Sequence, residues 1–111
     1  ADILLTGLTF DGTEAVELGI ASGVFAYDEV LPHALEVAHD IAVNTAPVSV
    51  ALSKRLLWES FAMTAEQMNQ AESDLHVHLM GRADAREGVT SFLERREPQW
   101  SLSVNEDYPE F

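Results

Sequence analysis

The chain has 111 residues, enough for one modest domain, and its 47% apolar and 23% charged content is ordinary for a globular protein. Nineteen acidic residues against six basic ones leave a net charge of −13, which argues against nucleic acid or an anionic membrane as the main partner. Cysteine is absent, which excludes a disulfide framework and thiolate chemistry. With no stretch that reads as a membrane span or a signal peptide, the expectation is a cytoplasmic protein.

The first residues, Ala1-Asp2-Ile3-Leu4-Leu5-Thr6-Gly7, read as the end of a helix stopped by Gly7. No cap or opening turn precedes them. The expectation is a chain that begins partway through an element, as a fragment would; ordinary processing ahead of a short first helix is the alternative. Asp11 then caps a second helix with Glu14 three residues on, Phe10 is placed to staple against Ala15, and Gly19 stops it. Residues 20–26 read as a short extended segment for which the rest of the chain offers no convincing partner.

Asp28 opens a long helix to about Asn44, with Leu31, Ala34, Leu35, Ala38, Ile41 and Ala42 in an apolar stripe and Pro32 in the first turn. Thr45-Ala46-Pro47 breaks it and starts another, carrying Val48, Ala51, Leu52, Arg55, Leu56 and Trp58. Thr64 and Gln67 form a capping box for a helix reaching Met80, with Gly81 as its stop and Met68, Ala71, Leu75 and Leu79 as its buried stripe.

Residues 83–98 read as a helix with both ends written in. Asp84 caps the first turn and Glu87 takes the reciprocal place in a capping box. Val89, Phe92, Leu93 and Arg96 fall near one face, Pro98 ends the helix, and Arg95 and Arg96 occupy its last turn, where positive charge suits the helix dipole. Two arginines beside a large aromatic are the best anion-binding candidate in an acidic chain. The competing reading is a helix-end charge complement and a core phenylalanine. Residues 99–111 carry no clear period and read as an acidic tail lying along a surface through Trp100 and Tyr108.

No catalytic centre stands out. His76 and His78 point to nearly opposite sides of a helix, and His33 and His39 lie on different faces of another, so no metal site is expected. The acids are spread over helix surfaces rather than paired. Thr90 and Ser91 have no histidine nearby in sequence to act as base, and no Gly-rich phosphate loop occurs. The residues alone give a mainly α architecture of four to five helices with one short strand.

With those residues in view, the chain resembles the C-terminal part of the enoyl-CoA hydratase/isomerase (crotonase) superfamily. The carrying motifs are Leu4-Leu5-Thr6-Gly7, Phe10-Asp11, Glu14-Ala15 and Glu17-Leu18-Gly19. After Val24 come the long helix with Ala38, Ile41-Ala42 and Pro47, then Lys54-Arg55-Leu56-Leu57 and Glu72. Last are Asp84-Ala85-Arg86-Glu87-Gly88-Val89 and Phe92-Leu93-Glu94-Arg95-Arg96 with Pro98. The resemblance runs from Ala1 to about Trp100. Leu8 departs from it, standing where the family often has a basic residue, as does the acidic stretch from Ser101 onward.

The resemblance implies a C-terminal helical region of a crotonase-like fold, the ββα spiral core being absent. Residues 1–26 would be the last edge of the spiral, 27–98 a helical oligomerisation region, and 99–111 the tail. It implies an acyl-CoA substrate, hydration or isomerisation of an unsaturated acyl-CoA, and a homo-oligomer, trimer or hexamer, formed together with the missing N-terminal core. Coenzyme A would be part of the substrate, with no separate cofactor. The family's oxyanion-hole amides and catalytic glutamates match nothing in this chain, so the segment alone is expected to be inert. One role does carry over: Phe92 and Arg95, with Arg96 as a helper, stand at positions that contact the adenosine and phosphate end of CoA on a neighbouring subunit. The alternative is a free-standing, non-catalytic helical module for oligomerisation or interaction.

Overall fold

The computed structural model describes residues 2–109. Its elements are all helical: α1 (Asp2–Thr6), α2 (Gly12–Glu17), α3 (Val30–Asn44), α4 (Pro47–Glu59), a 3₁₀ turn (Ser60–Ala62), α5 (Ala65–Met80), α6 (Ala83–Glu94) and α7 (Val104–Asp107). They fall into two compact units, one ending at Ala38 and the other starting at His39, so the boundary lies within α3.

In the first unit, local chemistry sets the breaks. Gly7 (φ 67°) and Gly19 (φ 71°) take the left-handed conformation that ends a helix at little cost for a residue without a Cβ. Asp11 Oδ1 accepts from the amides of Thr13 and Glu14, both at 2.9 Å, and Glu14 Oε2 accepts from the Asp11 amide at 2.9 Å, so the expected capping box is complete. Residues 20–26 form no ladder among the described residues. The Ile20 and Ala21 amides instead both donate to Ala15 O, at 2.9 and 3.1 Å, closing the end of α2. The long helix starts at Val30 rather than at Asp28. Asp28 lies in a turn, and Glu29 supplies the carbonyl that receives the His33 amide. Phe25 stacks on His33 with ring centroids 4.1 Å apart. Only Ala15 is buried among this unit's described apolar residues, and α3 buries none of its stripe.

The second unit has a core of its own. Val48 and Leu52, each 1% exposed, meet Leu75, and Leu56, Leu79, Leu102 and Tyr108 pack around them. Pro47 sits at the first position of α4, where its missing N–H costs nothing. Thr64 and Gln67 close α5 with a reciprocal capping box. Of the stripe expected on α5, Leu75 is buried and Met68, Ala71 and Leu79 are half-buried. Trp58, read into the α4 stripe, is exposed.

The segment read as a periodless tail is a strap across this core. Trp100 Nε1 donates to Val43 O at 2.9 Å. Leu102 and Tyr108 reach the core, and Ser103 caps the short α7 by accepting from the Asn105 amide. Asp107 Oδ2 accepts from the Ser103 amide, while its Oδ1 lies 3.6 Å from Arg82 Nη2.

Candidate functional site

Helix α6 and the turn after it carry the residues singled out in the sequence. The N-cap of α6 is Arg82, not Asp84, and it has no side-chain cap. Asp84 lies inside the first turn, 4% exposed, and faces the strap. Its Oδ1 accepts from Ser101 N at 2.8 Å, Ser101 Oγ at 3.1 Å and Leu102 N at 3.3 Å. A carboxyl group placed where a cap is expected therefore satisfies backbone donors 17 and 18 residues away.

Glu87 is likewise not a capping-box acid. It holds the Arg96 guanidinium through both oxygens, Nη1 to Oε1 at 2.6 Å and Nη2 to Oε2 at 3.1 Å, and accepts from the Gln99 amide at 2.6 Å. The Arg96 hydrogen bond first, and the Gln99 amide second, hold its carboxyl down at about 2. Arg96 is pushed up by Glu87 and then by Glu94.

The helix ends at Glu94, earlier than its proline. Arg95 and Arg96 thus lie beyond the last turn rather than in it. Arg95 is left-handed, φ 55° and ψ 45°, the one non-glycine residue with positive φ among those described. Its amide donates to Phe92 O and the Arg96 amide to Ser91 O, at 3.3 and 3.1 Å. These are the two bonds of a Schellman ending, with arginine where glycine is usual.

The apolar face expected on α6 does not form a core. Val89 and Leu93 are exposed, and Phe92 is 81% exposed, so none of the three packs into a core among the described residues. The structure thus sets Phe92 and Arg95 at the open end of one helix. Arg95 has no side-chain hydrogen bond or ion pair among the described residues, whereas the Arg96 guanidinium is engaged.

A cavity of about 430 Å³ lies elsewhere in this unit, against Val48, His76, Leu79, Arg82, Asp84 and Trp100. Its polar groups are largely committed, Asp84 to the strap and Arg82 to Asp107. His78 Nε2 is buried without a hydrogen-bond partner among the described residues. Ser91 is buried and its hydroxyl donates to Gly88 O, so it is no nucleophile. Among the described residues, no group of three His, Asp or Glu side chains could hold a metal ion, and no helix is long and apolar enough to cross a membrane. Sequence reasoning missed Asp84 and Glu87 as partners of the strap, because both contacts join residues far apart in the chain.

Comparison with known proteins agrees with the architecture. The family model for enoyl-CoA hydratase/isomerase matches residues 1–103. An enoyl-CoA hydratase of Alternaria alternata is 36% identical over 97 residues, covering 83% of this chain and 32% of that protein. A mevalonyl-coenzyme A hydratase of Aspergillus fumigatus is 33% identical over 106 residues, covering 93% and 38%. The crystal structure of a probable enoyl-CoA hydratase/isomerase from Mycobacterium abscessus superposes with a TM-score of 0.85 at 44% identity, over 89% of this chain and 39% of that one. The chain thus spans between about a third and two fifths of the length of the relatives it matches. Residues 104–111 lie outside the family match.

Proposed function

Because the chain belongs to the enoyl-CoA hydratase/isomerase family, we propose that it is the C-terminal helical segment of an enzyme that hydrates or isomerises an unsaturated acyl-CoA. The family match over residues 1–103 carries this reading. The segment supplies no catalytic group. Polarisation of the thioester carbonyl by N–H donors and proton movement by carboxylates fall to the part of such an enzyme that this chain does not match. The segment's own roles are assembly and ligand contact.

Assembly is supported by the apolar surface. Leu31 and Leu35 on α3, Leu57 and Trp58 on α4, and Phe61 after it are all exposed, a density that marks interaction faces. They pack against the remainder of the enzyme and neighbouring subunits, in a trimer or hexamer. Ligand contact is supported by the exposure of Phe92 three residues before an uncommitted Arg95. The ring offers a face to adenine and the guanidinium a charge-assisted hydrogen bond to phosphate. Coenzyme A enters as part of the substrate, with no separate cofactor.

The test is an assay of a full-length protein containing this segment on a series of unsaturated acyl-CoA thioesters, with its mass in solution measured alongside. Turnover by a trimer or hexamer is expected. A protein that neither binds nor turns over any CoA thioester overturns the reading.

A further inference from the structure

Arg96 has five N–H donors, and four are taken. Nε donates to Glu94 Oε2 at 2.6 Å, Nη1 to Glu87 Oε1 at 2.6 Å and to Glu97 O at 3.0 Å, and Nη2 to Glu87 Oε2 at 3.1 Å. An arginine so engaged has little left to offer a phosphate. The same Glu87 oxygen accepts from the Gln99 amide at 2.6 Å. One carboxylate on α6 therefore grips the chain at residue 96 and again at residue 99.

Arg95 stands between the end of the helix and this grip. Its left-handed backbone disfavours any residue with a Cβ, and glycine would hold the turn without strain. The segment keeps a guanidinium there instead. That choice needs something to hold the turn closed, and the bidentate Glu87–Arg96 pair does so.

We propose that Glu87 and Arg96 are positioning residues: by clamping the turn after α6 they fix Arg95 in its left-handed conformation and set its guanidinium toward a phosphate of the CoA nucleotide. This rests on the reading that Arg95 contacts that nucleotide, and it removes Arg96 from the ligand contacts. Glu87, Arg96 and Gln99 act through the backbone of residue 95 and touch no ligand.

The experiment uses the full-length enzyme and two substrates with the same acyl group, one on CoA and one on pantetheine, which has no nucleotide. Glu87→Gln removes the charge that makes the clamp strong. It is expected to raise KM for the CoA thioester about three- to fivefold, with kcat unchanged and KM for the pantetheine thioester unchanged. Arg95→Gly is expected to raise KM for the CoA thioester about tenfold, and Glu87→Gln added to it should raise KM no further. Glu87→Asp should restore part of the loss. If Arg95→Gly raises KM but Glu87→Gln does not, or if the two add, the positioning role fails while nucleotide contact by Arg95 stands. A rise on the pantetheine thioester as well, or a fall in kcat, makes Glu87 merely structural and also overturns the proposal. An unchanged KM in Arg95→Gly refutes the contact itself, and the positioning role with it.

Discussion

Replacing Asp84 with alanine separates two readings of one residue. As a helix cap, its loss would cost about 0.5–2 kcal/mol and would fray the first turn of α6. In the structure it is buried and accepts from the amides of Ser101 and Leu102 and from the Ser101 hydroxyl. Ser101 is exposed, so its hydroxyl can turn to water. The two amides lose their acceptor, and each unsatisfied donor costs about 1–3 kcal/mol. The expected total is about 2–6 kcal/mol, and it falls on the strap rather than on the helix start. Hydrogen exchange read by mass spectrometry distinguishes the two. A local loss of about 3 kcal/mol speeds exchange of strap amides about a hundredfold, while the first turn of α6 keeps its rate. Fraying of that turn with the strap still protected, or a change below about 1 kcal/mol, would refute the reasoning.

Three further outcomes follow from the same packing. Leu52→Ala should cost about 3 kcal/mol in urea unfolding, because the removed carbons leave a gap at the centre of a very small core; a loss under 1 kcal/mol would mean that the cluster is not what holds the unit together. Gly88→Ala should stabilise by about 0.5–1 kcal/mol, since alanine is the better helix former and the added Cβ would meet the Trp100 ring at an ordinary 3.6 Å, a shift readable as a higher Tm. Glu87 gives a pH signature: its carboxyl is lowered from 4.5 to about 2, so its stabilising contribution is complete above about 4.5 and is lost as pH falls toward 2. The stability gap between the protein and Glu87→Gln should therefore be constant at neutral pH and close across that acid window; a gap that persists at pH 2 would mean that charge is not its source.

The sequence was legible where the physics is local. Asp11 with Glu14, Thr64 with Gln67, Pro47 and the two left-handed glycines act within a few residues, and each ends or starts a helix as its pattern implies. Asp84 and Glu87 carry the same spacing as a capping box, and here the pattern misleads. Donors supplied by residues 99–102 compete for both carboxyls and win, and nothing in a local window reveals them. The strap has no period because its anchors hold different places: Trp100 donates to Val43 O, while Leu102 and Tyr108 pack on the core cluster. The stripe on α3 was readable as amphipathic, but not what it packs on, since no described residue covers it. Phe92 and Arg95 were singled out through motif resemblance. The left-handed turn that presents them has no such marker, because the residue there is not glycine.

The strap also orders events during folding. The Asp84–Ser101 contact closes a loop of 17 residues, and the Trp100–Val43 contact spans 57. Loop-closure entropy grows with the logarithm of length, so the longer closure costs about 1 kcal/mol more. Helix α6 and the strap can therefore pair as a hairpin-like unit before the end of α3 is captured. Completion of the core is later still, since Tyr108 lies nearly at the far end of the described chain. On a ribosome, α4 and α5 are made before the strap that covers their shared seam, whose last anchor follows some thirty residues later, about 2–6 s at ordinary synthesis rates. During that interval Val48, Leu52 and Leu75 lack the cover that Leu102 and Tyr108 give them in the folded segment.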